Sequence, residues 1–233
     1  MGGNGKLAAK TADEHEAARH DMVAQQIERR GICSPRVLDA MKTVPRHLFV
    51  PPEYDFAAYA DEPLPIGEGQ TISQPFMVAA MAEALSLAGN ERVLEVGAGS
   101  GYQAAVVARL AREVIAVETK PALASTACER LAKLGCSNVR IEEGDGSLGW
   151  PPDAPYDAIL VTAAAPSVPQ PLVDQLAEGG RLVIPVGSSQ HQELLRIVKR
   201  AGGTTRESLY DCRFVPLLGR YGWHRGSEEA ARG

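Results

Sequence analysis

Apolar positions near the start of the chain recur at helical spacing. Over 13–30 the residues Met22, Val23, Gln26 and Ile27 share one face, and Gly31 is a natural stop. Ser34-Pro35 opens a second helix, with serine as N-cap and proline at the first helical position. Its apolar side is Val37, Leu38 and Met41, and Pro45 lies just beyond. Residues 45–75 then lose all periodicity. They are rich in proline, glycine and aromatics, and Phe49, Tyr54, Phe56 and Tyr59 supply apolar anchors, so this stretch reads as a binding loop rather than a linker. From Met77 the pattern becomes regular. Helices are expected at 77–87, 101–111, 121–134 and 171–177. Strands are expected at 92–96, 114–117, 139–142, 158–161 and 181–185, with two last ones at 194–198 and 213–218. Helices alternating with short apolar strands imply an α/β fold. The expectation is one doubly wound, mostly parallel seven-stranded sheet covered on both faces.

The 233 residues suit a single domain with a small appendage. Residues 1–15 have no apolar face and read as a mobile tail. The remainder, 16–233, is read as one domain that divides into cover helices and a loop (16–76), a Rossmann-like core (77–218) and a C-terminal tail (219–233). A hydrophobic share of 45% can fill a core. The net charge of −5 gives no electrostatic footprint for duplex nucleic acid. The four cysteines, Cys33, Cys128, Cys136 and Cys212, form no C-x-x-C pair and read as free buried thiols of a reducing compartment. Neither a membrane-spanning run nor the apolar core of a signal peptide is visible, which points to the cytoplasm and to no membrane partner. No metal-ligand spacing is present, and a monomer is expected.

The strongest local signal is the run from Val93 to Tyr102, VLEVGAGSGY. An apolar strand ends in Glu95, and Gly97, Gly99 and Gly101 turn the chain into a helix. Ligands of open α/β sheets bind outside the carboxyl ends of the strands. A dinucleotide fingerprint has a third glycine where this chain has Tyr102. The pattern here, with an acid two residues before the first glycine, resembles the nucleoside-binding loop of class I methyltransferases. S-adenosyl-L-methionine carries no phosphate, so Glu95 can order the loop and attract the cofactor's ammonium end. Glu118 ends the second strand, where a carboxylate can accept both ribose hydroxyls. Asp145, between Gly144 and Gly146, follows the third strand, where methyltransferases often place an acid against the adenine amine. Most strand-end carboxylates merely cap loops; three in order, at the ends of strands one, two and three, are much harder to explain that way.

Residues 64–81, LPIGEGQTISQPFMVAAM, resemble the signature of the protein-L-isoaspartate O-methyltransferase family, with its T-I-S-Q-P core at Thr71 to Pro75. Val44-Pro45-Arg46 with Phe49-Val50, Gly144-Asp145-Gly146, Val161 to Pro166 and Arg213 to Leu217 match further blocks, so the resemblance runs from about residue 20 to 218. It implies methyl transfer from S-adenosyl-L-methionine, leaving S-adenosyl-L-homocysteine, to the α-carboxyl of L-isoaspartyl residues in damaged proteins and peptides. The ester then closes to a succinimide, which opens partly to aspartate. It also implies Ser73 as the active-site hydroxyl, Ile72, Gly97, Gly99, Gly101, Asp145 and Gly146 beside the cofactor, and the backbone at Val215 on the substrate carboxylate.

A carboxylate with a pKa near 4 is ionised at pH 7 and needs no general base. No His/Asp pair is placed to act as one. Water exclusion and in-line positioning are the work left to the protein. His15 and His20 read as solvated, and His191 as a polar-turn residue. Trp150 reads as loop packing and Lys199-Arg200 as an exposed strand end. Two other readings compete: a carboxyl methyltransferase of this fold dedicated to one peptide partner, and an RNA methyltransferase. The second lacks a basic channel, and aromatics are only 5%.

Overall fold

The computed structural model describes residues 10–224. Helix α1 (Ala12–Met22) starts at a capping box: Glu14 N–H donates to Thr11 Oγ1 (3.3 Å), and Thr11 N–H donates to Glu14 Oε2 (2.7 Å). Residues 12–15 therefore belong to this helix and not to a tail; residues 1–9 of the expected tail lie outside the described residues. The chain continues through a π turn (Val23–Ile27) and a 3-10 turn (Glu28–Arg30), then stops at Gly31 with φ 98°. Helix α2 (Pro35–Thr43) follows Ser34 as expected, but the serine hydroxyl does not cap it. The amides of Cys33 and Ser34 donate instead to Glu83 Oε1, at 2.9 and 2.7 Å. This tertiary cap pins the cover to the core.

Residues 45–59 form two 3-10 turns, Arg46–Phe49 and Pro52–Ala57. Phe49 and Tyr59 are buried anchors and Tyr54 is half-buried, whereas Phe56 is 64% exposed. Arg46 is wholly buried. Its Nε donates to Ala58 O (2.9 Å), and its guanidinium lies 5.0 Å from the centre of the Tyr102 ring. Burial lowers its pKa to about 10. The hairpin β1 (Leu64–Gly67) and β2 (Gln70–Ile72) comes next, then α3 (Pro75–Ala84), which is buried from Pro75 to Ala82. An apolar helix of that kind belongs inside a layer.

The core alternates as expected: β3 (Arg92–Val96), α4 (Tyr102–Ala108), β4 (Glu113–Glu118), α5 (Pro121–Lys133), β5 (Val139–Glu143), β6 (Tyr156–Val161), α6 (Gln170–Asp174), β7 (Leu176–Gly187), β8 (Gln192–Arg200) and β9 (Gly203–Cys212). The sheet order is β5-β4-β3-β6-β7-β8-β9. It is parallel from β5 to β7, and β8 and β9 add antiparallel pairings. Central strands are buried on both faces, which explains their unbroken apolar runs. Val93, Val114, Leu160 and Val183 pack against Met77 and Met81 of α3 and Val107 near the end of α4. Leu94, Val96, Ile115 and Val161 pack on the other side against Leu172 of α6 and Leu217. Each such aliphatic side chain contributes about 1.5–3 kcal/mol by leaving water.

Several expectations need correction. The last strand is β9, not 213–218. β9 is almost entirely exposed, so no apolar alternation marks it; backbone pairing with β8 through a turn at Gly202 (φ 89°) defines it. Residues 213–218 instead run back across the strand ends, with isolated bridges from Pro216 to Ala164 and from Leu218 to Trp223. The helix expected at 171–177 ends at Asp174, because Leu176 already enters β7. His15 is buried: its ring stacks on His47 at 3.8 Å, and its Nε2 lies 3.4 Å from Asp55 Oδ1; His20 is exposed, as expected. The cysteines are free, but Cys33 and Cys128 are exposed rather than buried. Lys199 is half-buried and donates to the carbonyls of Asp174 and Leu176. Trp150 does pack its loop, against the Leu94 side of the core. Among the described residues no helix is long and apolar enough to cross a membrane.

Candidate active site

The glycine turn lies at the carboxyl ends of β3 and β4. Gly97 has φ 93°, and a Cβ there would meet Thr162 Oγ1 at 2.5 Å, so both backbone conformation and space demand glycine. Thr162, at the end of β6, donates its hydroxyl to Gly97 O (2.5 Å) and its amide to Val96 O (2.9 Å), tying the turn to the neighbouring strand. Glu118 is buried and closes the turn from the β4 side: Oε2 accepts from Gly99 N–H (2.8 Å), and Oε1 accepts from Thr119 and Lys120 N–H. Gly99 faces Ile66 of the β1–β2 hairpin, while Gly101 starts α4 and packs against Ala127 of α5. Gly146 packs under the turn against Val96. Glu95 is fully buried, and neither carboxyl oxygen has a hydrogen-bond partner among the described residues. Burial, and then the charge of Glu118, push its pKa well above the ordinary range.

Three cavities share walls around this turn. A cleft of about 670 Å³ is lined by Ser73, Phe76, Met77, Gln192, Arg213 and Val215, among others. A throat of about 70 Å³ runs along Gly97, Gly99, Glu118 and Gly146, and a third cavity, about 410 Å³, lies between Gly144-Asp145 and Gly219-Arg220-Trp223. Thr71, Thr162 and Val215 border both cleft and throat; Thr119 and Leu218 border both throat and third cavity. Ser73 thus reaches the same continuous wall as the glycine turn. Its hydroxyl makes no hydrogen bond among the described residues, so it is neither a turn nor a cap serine. Val215 gives its carbonyl to Ala164 N–H (2.8 Å), while its own N–H has no partner among the described residues. Ile72 is buried in the cover's core and lines none of the three cavities; Gln70 and Thr71 line the cleft and the throat instead.

Asp145 is already engaged. Oδ1 accepts from Ser147 N–H (2.9 Å) and Oγ–H (2.7 Å), and Oδ2 accepts from Arg220 N–H (2.8 Å). The carboxylate therefore anchors the C-terminal segment over the third cavity. Trp223 closes that segment with Nε1–H to Ala164 O (3.1 Å) and N–H to Leu217 O (2.7 Å).

The profile of the protein-L-isoaspartate(D-aspartate) O-methyltransferase family matches residues 17–222. The chain belongs to that family. A protein-L-isoaspartate O-methyltransferase of Methanoculleus marisnigri is 54% identical over 91% of this chain and 96% of its own length. A second, numbered 1, of Rhodopseudomonas palustris is 56% identical over 91% of this chain and 87% of its own. Among solved structures, a protein-L-isoaspartate O-methyltransferase superposes with TM-score 0.78 at 30% identity, covering 87% of this chain and 67% of its own. A putative one from Plasmodium falciparum, in complex with S-adenosyl-L-homocysteine, gives 0.73 at 28%, covering 86% and 98%.

The class I S-adenosyl-L-methionine-dependent methyltransferase fold and cofactor follow for this member of the family. The residues present fit such a group. The buried, partnerless Glu95 carboxylate calls for a nearby cation, and Gly97 and Gly99 leave the turn without side chains. The throat alone falls below the roughly 300–1,000 Å³ of ordinary ligand sites, and it shares walls with both larger cavities, so a bound cofactor would extend beyond it. The hairpin that borders Gly99 turns through Gly67, Glu68 and Gly69, all at positive φ. Thr162, Lys120 and Trp223 also line these cavities, and no sequence motif marks them as site residues. Thr162 was discoverable, since it ends a core strand at the ligand-binding edge of the sheet; Trp223 was not, because its place depends on the returning segment.

Proposed function

We propose that this family member methylates the α-carboxyl of L-isoaspartyl residues in damaged proteins and peptides. The observation that carries the reading is the free Ser73 hydroxyl, in a peptide-sized cleft that shares its wall with the glycine turn. S-adenosyl-L-methionine supplies a methyl group on a cationic sulfonium. Gly97, Gly99, Glu118, Asp145 and Gly146 would hold it, with Glu95 buried behind the turn. The substrate carboxylate is ionised at neutral pH, so no base is required. Ser73 O–H and Val215 N–H each donate to one of its oxygens without removing its charge. Phe76, Met77 and Phe214 strip away the water that would otherwise shield it. Attack by the neighbouring backbone amide on the resulting ester expels methanol and gives the succinimide, which opens partly to aspartate.

The same cleft argues against nucleic acid as partner. Arg30, Lys120 and Arg213 alternate with Glu68 and Asp211 around it, and a phosphate-tracking groove would be basic throughout. One copy of the chain carries every group named here, which supports action as a monomer. We read the protein as working in the cytoplasm, where thiols such as exposed Cys33 and Cys128 stay reduced.

The deciding experiment is methyl transfer from labelled S-adenosyl-L-methionine to two peptides that differ only in one L-isoaspartyl or L-aspartyl linkage. Labelling of the isoaspartyl peptide alone is expected. Labelling of neither, with cofactor still bound, would overturn the repair reading in favour of a carboxyl methyltransferase dedicated to one partner.

A further inference from the structure

We propose that the β8–β9 edge binds one divalent transition cation of the zinc type, through His191, Glu193 and Asp211. Strand register places Glu193 directly opposite Asp211, and one ligand atom of each of the three residues lies within 4.8 Å of the others. Like charges directly opposed across two strands destabilise the pairing, and a cation between them reverses the sign of that interaction. The imidazole of His191 and the carboxylate of Asp211 have no hydrogen bond or ion pair among the described residues. Glu193 is only partly engaged: Oε1 accepts from Ser208 Oγ (3.0 Å), and Oε2 faces exposed Arg206 at 3.8 Å.

The donor set selects the class of ion. One imidazole nitrogen and two carboxylate oxygens suit zinc and similar divalent ions, and three protein ligands leave a coordination position open. That position has a use. Asp211, with Ser189 and Gln192, lines the large cleft, so the cation sits at its mouth. On the peptide-methylating reading given above, an acidic side chain flanking the isoaspartyl residue becomes its further ligand.

Calorimetric titration of the full-length chain with zinc chloride tests the site directly. One saturable site per chain is expected. His191→Ala and Asp211→Asn should each weaken it by about tenfold or more, while Cys33→Ser/Cys128→Ser leaves it intact. Absence of saturable binding, survival of the site in His191→Ala, or its loss in the double serine variant would overturn the proposal. The second arm compares KM for an isoaspartyl peptide with flanking aspartates, with and without zinc. A several-fold fall in the unmodified chain, absent in His191→Ala, is expected. Equal KM values overturn the placement of the cation in the peptide's path. Calorimetry needs no methyl transfer, so a chain that binds zinc but labels no peptide separates failure of the enzymatic reading from failure of this one.

Discussion

Ser73 contributes no hydrogen bond to the fold, so its hydroxyl can be removed with little structural consequence. Ser73→Ala is expected to lower kcat for an isoaspartyl peptide by about 10²-fold, the usual cost of one positioned donor. Binding of S-adenosyl-L-homocysteine, measured by calorimetry, should stay unchanged, because the serine lies on the cleft side of the shared wall. Unchanged turnover would remove Ser73 from the mechanism. At this scale the site was legible wherever spacing is local. The acid before the glycine turn, the glycines themselves and the acids ending β4 and following β5 all stand where the sequence pattern puts them. What spacing could not convey is environment. The spacing of Glu95 suggests an acid that orders the loop and attracts the cofactor's ammonium end, but not that it lies fully buried with no hydrogen-bond partner among the described residues. Asp145, read as an adenine contact, is tied to Ser147 and Arg220. Both facts arise from chain segments far away in sequence.

Elements dock through chemistry that amphipathic patterns only partly reveal. Helix α1 meets residues 45–59 through the stacked rings of His15 and His47, with His47 Nδ1 2.7 Å from Tyr59 Oη. Burial, and then the charge of His15, lower the pKa of His47 to about 4, against Asp55, which favours the charged form; Arg19 and Lys10 add repulsion. The folded state thus binds a proton on His47 more weakly than the unfolded chain, whose histidine titrates near 6.5. Stability from this contact is present above about pH 6.5 and is lost as pH falls through about 4. Thermal unfolding followed across that window should show a declining Tm, and His47→Gln should decline less steeply. Identical slopes would exclude His47 as the titrating group. In sequence, α1 has no large apolar residue before Met22, so nothing marks His15 as interior. β9 escaped notice for a related reason: an exposed edge strand has no apolar face to betray it.

Across the whole molecule, the residues that line the cleft and throat gather at one end of the sheet, as an open α/β topology requires. The cover supplies Ser73 and Thr71, the strand ends supply Gly97, Glu118 and Thr162, and the returning chain supplies Val215 and Trp223. The last of these was outside any block that the sequence made recognisable. It matters because residues 218–223 wall the third cavity and hang on few bonds: Arg220 N–H to Asp145, Tyr221 N–H to Ser147 Oγ, and the two donations of Trp223. Trp223→Ala removes the indole hydrogen bond to Ala164 and the apolar body that holds the segment against the strand ends. The segment should then open, and the Kd for S-adenosyl-L-homocysteine should rise about tenfold, equivalent to roughly 1.4 kcal/mol. Far-ultraviolet circular dichroism should remain that of the parent, since the segment contributes no strand to the main sheet. A Kd equal to the parent's would place the C-terminal segment outside the cofactor site.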